Sequence, residues 1–225
     1  MPTGRKHFLA LAFALLCVAA TDSAAGTERD APGQFDYYTL VLSWVPTYCR
    51  GGGKFRDDAQ CDAAGRQTFL LHGLWPQYAR GWPADCFTGK RPWVPEQVIA
   101  AMRDIMPSKN LVIHEYRTHG TCSGLPPAEY FAVARALYQR ISVPAGFLAP
   151  GASLDTPDEI ERAFLDANPW LTPDMIAITC RKASLLDIRV CFGRDLAPRA
   201  CGANEDQRRL CPLPKIAVPP PSPQN

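Results

Sequence analysis

The 225 residues contain no CxxC pair although nine of them are cysteines, so a thiolate zinc centre has little support. No G-x-S-x-G segment is present to raise a serine nucleophile, which argues against acyl transfer of that kind. No apolar run reaches the ~20 residues that a membrane-spanning helix needs; the run from Phe8 to Ala20 falls well short of it. Excess charge of one sign is also missing. With 24 Lys and Arg against 22 Asp and Glu the net charge is +2, so there is no global electrostatic footprint for nucleic acid, and any anion binding must be local. There is no internal repeat. The 47% hydrophobic and 20% charged content excludes a largely disordered chain and leaves one domain with a substantial core.

The N-terminus has the layout of a secretory signal: Arg5, Lys6 and His7, the apolar run, then Ser23, Ala24 and Ala25. Residues 1–25 are therefore expected to be a signal peptide, 26–212 the folded domain and 213–225 an exposed Pro-rich tail. Cleavage near Ala25 takes Arg5, Lys6 and Asp22 with it, leaving 22 basic against 21 acidic residues, or +1. Eight cysteines stay behind: Cys49, Cys61, Cys86, Cys122, Cys180, Cys191, Cys201 and Cys211. An even set in an exported chain predicts four disulfides and a periplasmic or secreted location.

The aromatic and β-branched run from Phe35 to Trp44 predicts a strand that Pro46 closes. After a glycine loop at 51–53, a second strand from Thr68 to Leu71 delivers His72 where strand turns to loop. Val98, Ile99, Met102, Ile105 and Met106 keep helical spacing between Pro95 and Pro107. A second helix from about Pro127 buries Tyr130, Phe131, Ala134, Leu137, Tyr138 and Ile141, and Thr156 to Glu159 reads as the capped start of a third. Leu186, Ile188, Val190 and Phe192 alternate with Asp187, Arg189 and Cys191, the pattern of a half-buried strand. Strands at both ends with helices between them indicate an α+β domain.

All three histidines beyond the signal lie in two short segments, FLLHGLWPQ with His72 and IHEYRTHGTCSG with His114 and His119. On an α-helix Glu115 and His119 share a face, whereas His114 and His119, five apart, lie ~140° from each other. H-E-x-x-x-H breaks the H-E-x-x-H geometry of a zincin, although a metal-dependent hydrolase assembled with His72 stays open as an alternative. Imidazoles in opposed roles beside a carboxylate suit proton transfer to and from a phosphodiester near neutral pH.

FLLHGLWPQ and HEYRTHGTC closely resemble the two active-site motifs of the ribonuclease T2 family, FDYYTLVLSWVPTYC is similar to its first strand, and the likeness runs from about Phe35 to Cys211. The resemblance implies an α+β fold with a central antiparallel sheet. It also implies metal-independent, cofactor-free endonucleolytic cleavage of RNA through a 2′,3′-cyclic phosphate, by a monomer with RNA as its partner and no membrane attachment. By motif, His72 would be the general acid, His119 the general base, Glu115 the support for base and transition state, and His114 a phosphate ligand. Trp75 would stack on a base, with Tyr78 and Trp82 extending the platform. The implied pairing is Cys49–Cys61, Cys86–Cys122, Cys180–Cys211 and Cys191–Cys201. Two positions depart from the family pattern. Thr118 stands where a Lys commonly precedes the second-motif His, with Arg117, Arg80, Lys90 and Arg91 as possible substitutes. Ser43 stands where plant members carry a base-reading Gln, and its single hydroxyl implies weak base discrimination. An RNA-binding relative with reduced catalysis is a further alternative.

Overall fold

A computed structural model describes residue 1 and residues 30–50, 58–62, 69–87, 89–147 and 155–220. Residues 2–29, which include most of the expected signal peptide, the glycine loop, Thr68 and the last five residues lie outside the described residues.

Four antiparallel strands form one sheet in the order β2-β1-β4-β3. They are β1 Tyr37–Trp44, β2 Phe69–Gln77, β3 Ile176–Arg181 and β4 Ser184–Gly193. Helices α1 Val45–Arg50 and α2 Asp58–Asp62 follow β1. Between β2 and β3 come α3 Glu96–Met102, α4 Lys109–Glu115, a π-helical turn Tyr116–Gly120, α5 Thr121–Ser123, α6 Pro127–Gln139 and α7 Pro157–Ala167. The short α8 Gln207–Leu210 comes last. This is the expected α+β architecture.

Side chains alternate along β1, and both faces are buried, for different purposes. Tyr38, Leu40, Leu42 and Trp44 join the main core beneath the helices. There Trp44, Phe69, Phe147 and Phe164 meet with ring centroids 4.8 to 5.7 Å apart, and such aromatic pairs contribute ~0.5–1.5 kcal/mol each beyond their buried area. On the other face Thr39 and Ser43 are buried polar groups whose partners lie on β4 and beyond. Thr156 caps α7 as its sequence suggests: its Oγ1 accepts from Glu159 N at 3.1 Å, and Glu159 Oε2 accepts from Thr156 N at 3.1 Å.

Several expectations shift. The helix after Pro95 ends at Met102, with Ile105 and Met106 buried in the turn that follows. Pro46 does not merely stop β1 but lies inside α1, where a first-turn proline needs no amide partner. The strand β3 carried too short an apolar run to be singled out. Part of the expected exposed tail is packed instead. Ile216 is buried, Ala217 bonds to Ala183 and Leu185, and Pro219 O accepts from Trp44 Nε1 at 3.1 Å. The start of β4 at Ser184 runs past the last β1 pair, Ser43 with Asp187, and supplies backbone groups for this segment to satisfy.

All four disulfides expected from the resemblance are formed. Cys86–Cys122 closes 36 residues and ties the loop after β2 to α5, beside the segment bearing His114 and His119. Removing this bond by Cys86→Ala with Cys122→Ala is expected to cost about 2–5 kcal/mol of stability in denaturant unfolding, with the other three bonds intact.

Candidate active site

His72 sits in the middle of β2, not at its end. Val41 pairs with Gly73 and Leu42 with Leu71, so His72 is the extra residue of a β-bulge. A bulge leaves its extra residue outside the ladder and turns its side chain. Leu71 and Leu74 point into the main core, while His72 meets Ser43 on the polar face. His72 Nδ1 lies 3.0 Å from Ser43 Oγ, and His72 Nε2 lies 3.5 Å from Glu115 Oε1.

The second motif begins as α4, capped by Ser108 Oγ, which accepts from Leu111 N at 3.1 Å. It then widens into the π turn. On a regular α-helix His114 and His119 would lie well round the axis from each other, whereas the wider turn brings residues five apart together. Their ring centroids are 6.4 Å apart, edge to face, which corrects the separation expected from α-helical spacing. Gly120 permits this packing, since a Cβ there would come within 3.1 Å of the Tyr130 ring as well as against Tyr116.

Glu115 is completely buried. Its Oε2 accepts from Trp75 Nε1 at 2.8 Å, and its Oε1 has no hydrogen-bond partner among the described residues. Burial pushes its carboxyl up to about 7, opposed by His72 and the Trp75 bond and reinforced by the negative charge of Asp187. The His119 ring stacks on Trp75 at 5.1 Å with 28° between planes, and His72 meets the same indole edge-on at 5.4 Å. Burial, followed by the nearby His114 and His72, lowers the His119 pKa to about 3. This keeps its imidazole neutral, with an unprotonated ring nitrogen, at neutral pH. Trp75 thus binds together His72, Glu115 and His119, while His114 is exposed beside them.

Three residues that the sequence reading did not place in the site adjoin it. Asp187 is buried opposite Ser43 and accepts its hydroxyl proton at 2.7 Å. Arg189 holds its guanidinium 5.1 Å from the Trp75 ring centroid and 3.8 Å from Glu205 Oε1. Glu205 also accepts from Thr39 at 3.1 Å and from Tyr37. The alternation of Asp187 and Arg189 with Ile188 and Val190 hinted at a second face of β4, but only the pairing of β4 with β1 shows that this face is the site's floor.

Thr118 is bound to the loop after β2. Its Oγ1 donates to Asp85 Oδ1 at 3.4 Å, and its carbonyl accepts from Asp85 N at 2.9 Å. Arg117 donates from Nε to Pro92 O at 2.8 Å, pinning the same loop. Arg80, Lys90 and Arg91 are exposed, as is Trp82 at 61%, and Tyr78 is half-buried. Among the described residues, Cys191, Cys201 and Glu205 hold potential metal ligands within 4.8 Å of one another, but the two sulfurs are bonded to each other and offer no thiolate. A cavity of about 690 Å³ between the start of α7 and residues 207–214 includes none of the histidines.

A model of the ribonuclease T2 family matches residues 35–201, and the chain belongs to that family. A ribonuclease of Aeromonas hydrophila is 41% identical over 119 residues, 52% of each chain. Ribonuclease I of Escherichia coli strain K12 is 28% identical over 240 residues, 86% of this chain and 88% of its own. The matched part spans about half the length of the Aeromonas protein and of a probable ribonuclease of Haemophilus influenzae, at 52% and 47%. Among solved structures, trichomaglin, described as a novel S-like ribonuclease, superposes with a TM-score of 0.64 at 21% identity, covering 85% of this chain and all of its own. An RNase-related protein from Calystegia sepium gives 0.61 at 21% identity, covering 83% and 97%. At such identity these two likenesses establish the fold.

Two outcomes follow from this geometry. A Cβ at Gly73 would overlap Glu115 Oε2 and lie 2.8 Å from both Glu115 Cδ and Trp75 Nε1, so Gly73→Ala should cost about 1–3 kcal/mol in denaturant unfolding and displace the carboxyl. The His119 pKa is lower in the folded chain than the ordinary 6.5, so its contribution to stability is present above pH 6.5 and is lost as pH falls toward 3. His119→Gln should therefore flatten the acid limb of a plot of unfolding free energy against pH.

Proposed function

We propose that the chain is an exported endoribonuclease that cleaves single-stranded RNA by metal-independent transphosphorylation. The observation that carries this reading is the convergence of His72, Glu115 and His119 on one indole, two imidazoles about a buried carboxyl. His119, held neutral, takes the proton from the ribose 2′-hydroxyl as the 2′-oxygen bonds to phosphorus. The bond from phosphorus to the 5′-oxygen breaks, and His72 gives that oxygen a proton, leaving a 2′,3′-cyclic phosphate. Water then opens the ring to a 3′-phosphate with the two roles reversed.

Glu115 stands within reach of His72 Nε2, where its carboxyl at about 7 responds to the changing charge of the imidazole. His114, exposed and next to His119, contacts the phosphate. Trp75 is already stacked on His119, so its first role is to hold the catalytic groups, and a base can stack only on what remains accessible. Ser43 is occupied by Asp187 and His72, which leaves no side chain at that position to read a base edge and supports low base specificity. The disulfides and the signal-like N-terminus support a periplasmic or secreted protein, and RNA is the partner of a monomer.

The test is gel analysis of RNA and matched DNA in excess EDTA. RNA should be cut to 2′,3′-cyclic ends and DNA left intact. Cleavage of a fully 2′-deoxy strand, or loss of activity with the chelator, would reject the mechanism, the latter in favour of a metal-dependent hydrolase. His72→Ala and His119→Ala should each lower kcat by ~10²–10⁴.

A further inference from the structure

From His72 a polar line crosses all four strands: His72 on β2, Ser43 on β1, Asp187 on β4 and Thr179 on β3. Ser43 and Asp187 face each other in the β1–β4 register, as do Thr179 and Asp187 in the β3–β4 register. Ser43, Asp187 and Thr179 are 3%, 5% and 3% exposed, so each hydrogen bond is made within the protein. Asp187 Oδ1 accepts from Ser43 Oγ at 2.7 Å, and its Oδ2 accepts from Thr179 Oγ1 at 3.3 Å. Thr179 Oγ1 in turn accepts from Asp187 N at 3.0 Å, so the threonine proton is directed to the carboxylate.

The count of protons along this line has one solution. A serine hydroxyl has a single hydrogen, and an ionised carboxylate can only accept. Ser43 therefore gives its hydrogen to Asp187 and has only lone pairs to turn toward His72 Nδ1, 3.0 Å away. That contact is a hydrogen bond only if Nδ1 carries a hydrogen. We infer that Ser43 and Asp187 are positioning residues that lock His72 as the Nδ1–H tautomer, so that Nε2 alone exchanges protons with the substrate. The inference rests on the proposed role of His72 in proton transfer. Its geometry supports that role, because Nε2 is the nitrogen directed at Glu115 on the site side. The proton on Nδ1 stays in place whether His72 has given up its other proton or regained it. The ring thus has no need to turn between the two halves of the reaction.

The arrangement differs from a carboxylate bonded directly to a catalytic histidine, because the serine intervenes. It makes distinct predictions for the two residues. Ser43→Ala removes the acceptor and leaves both tautomers open. Asp187→Asn offers Ser43 an amide that can donate, which frees the serine hydrogen to point at Nδ1 and forces the opposite tautomer. Ser43→Thr keeps the hydroxyl on a strand that tolerates β-branching.

Nitrogen-15 NMR of the histidine ring in the free protein reads the tautomer without RNA. Neutral His72 should be Nδ1–H in the wild type and in Ser43→Thr, mixed in Ser43→Ala, and predominantly Nε2–H in Asp187→Asn. On RNA, kcat should fall about 10- to 100-fold in Ser43→Ala and further in Asp187→Asn, with KM little changed and Ser43→Thr near wild type. A neutral wild-type His72 carrying its hydrogen on Nε2 would overturn the inference, and so would unchanged kcat in both Ser43→Ala and Asp187→Asn. Failure of the proposed function looks different: wild-type protein inactive on RNA, with the Nδ1–H signature still present.

Discussion

The site is organised around a buried carboxyl. Glu115 has no access to water, and one of its oxygens meets only the Trp75 indole while the other faces His72. Burying an ionisable group is costly unless its environment is tailored to it, and the surrounding residues follow from that constraint. Gly73 is a glycine because any side chain would strike the carboxyl. Trp75 points its one N–H at it, which fixes the indole plane on which His119 stacks. Asp187, a second negative charge within electrostatic reach, reinforces burial in pushing the Glu115 carboxyl up to about 7. A carboxyl so placed can change its charge with little driving force near neutral pH, which a group at the ordinary carboxylate value could not do.

Two departures from regular secondary structure shape the surroundings of this carboxyl. In an unbroken β2, residues 71 and 73 would share one face and His72 would lie on the other, but the bulge gives both His72 and Gly73 to the polar face while Leu71 and Leu74 stay in the core. In an unbroken helix His114 and His119 would diverge, and the π turn brings them together. Both irregularities cost backbone hydrogen bonding, and each is held by packing nearby: Tyr130 OH donates to Leu74 O at 2.8 Å on the strand side, and its ring lies against Gly120 on the helix side. The loop after β2 is held at the same turn by the Cys86–Cys122 bond and by Thr118 and Arg117. Thr118 therefore serves to anchor a loop at the position where the family commonly carries a cation.

The two faces of the sheet divide stability from chemistry. Beneath the helices the residues are apolar and aromatic and interlock. On the other face, buried Thr39, Ser43, Asp187 and Glu205 and half-buried Arg189 make hydrogen bonds and an ion pair with one another, and such networks are rigid only when nearly complete. That rigidity is what a histidine needs if one nitrogen is to stay bound while the other moves protons.

The amino-acid sequence by itself determined the class of fold, the cysteine set, the gathering of three of the four histidines into two segments, and the choice of His72, Trp75, His114, Glu115 and His119 as candidates. These are local facts: periodicity, turn residues and short motifs depend on neighbours within a few positions. Tertiary structure decided the rest. The bulge at His72 is visible only once β2 is registered against β1, and the widening at 116–120 only once the helix is packed against Tyr130. Ser43, Asp187 and Thr179 lie 29, 115 and 107 positions from His72 along the chain yet form one line with it, because strand pairing joins residues without regard to their separation in sequence. The separation expected for His114 and His119 was wrong because a spacing rule assumes a regular helix, and the site is built where the helix is not regular.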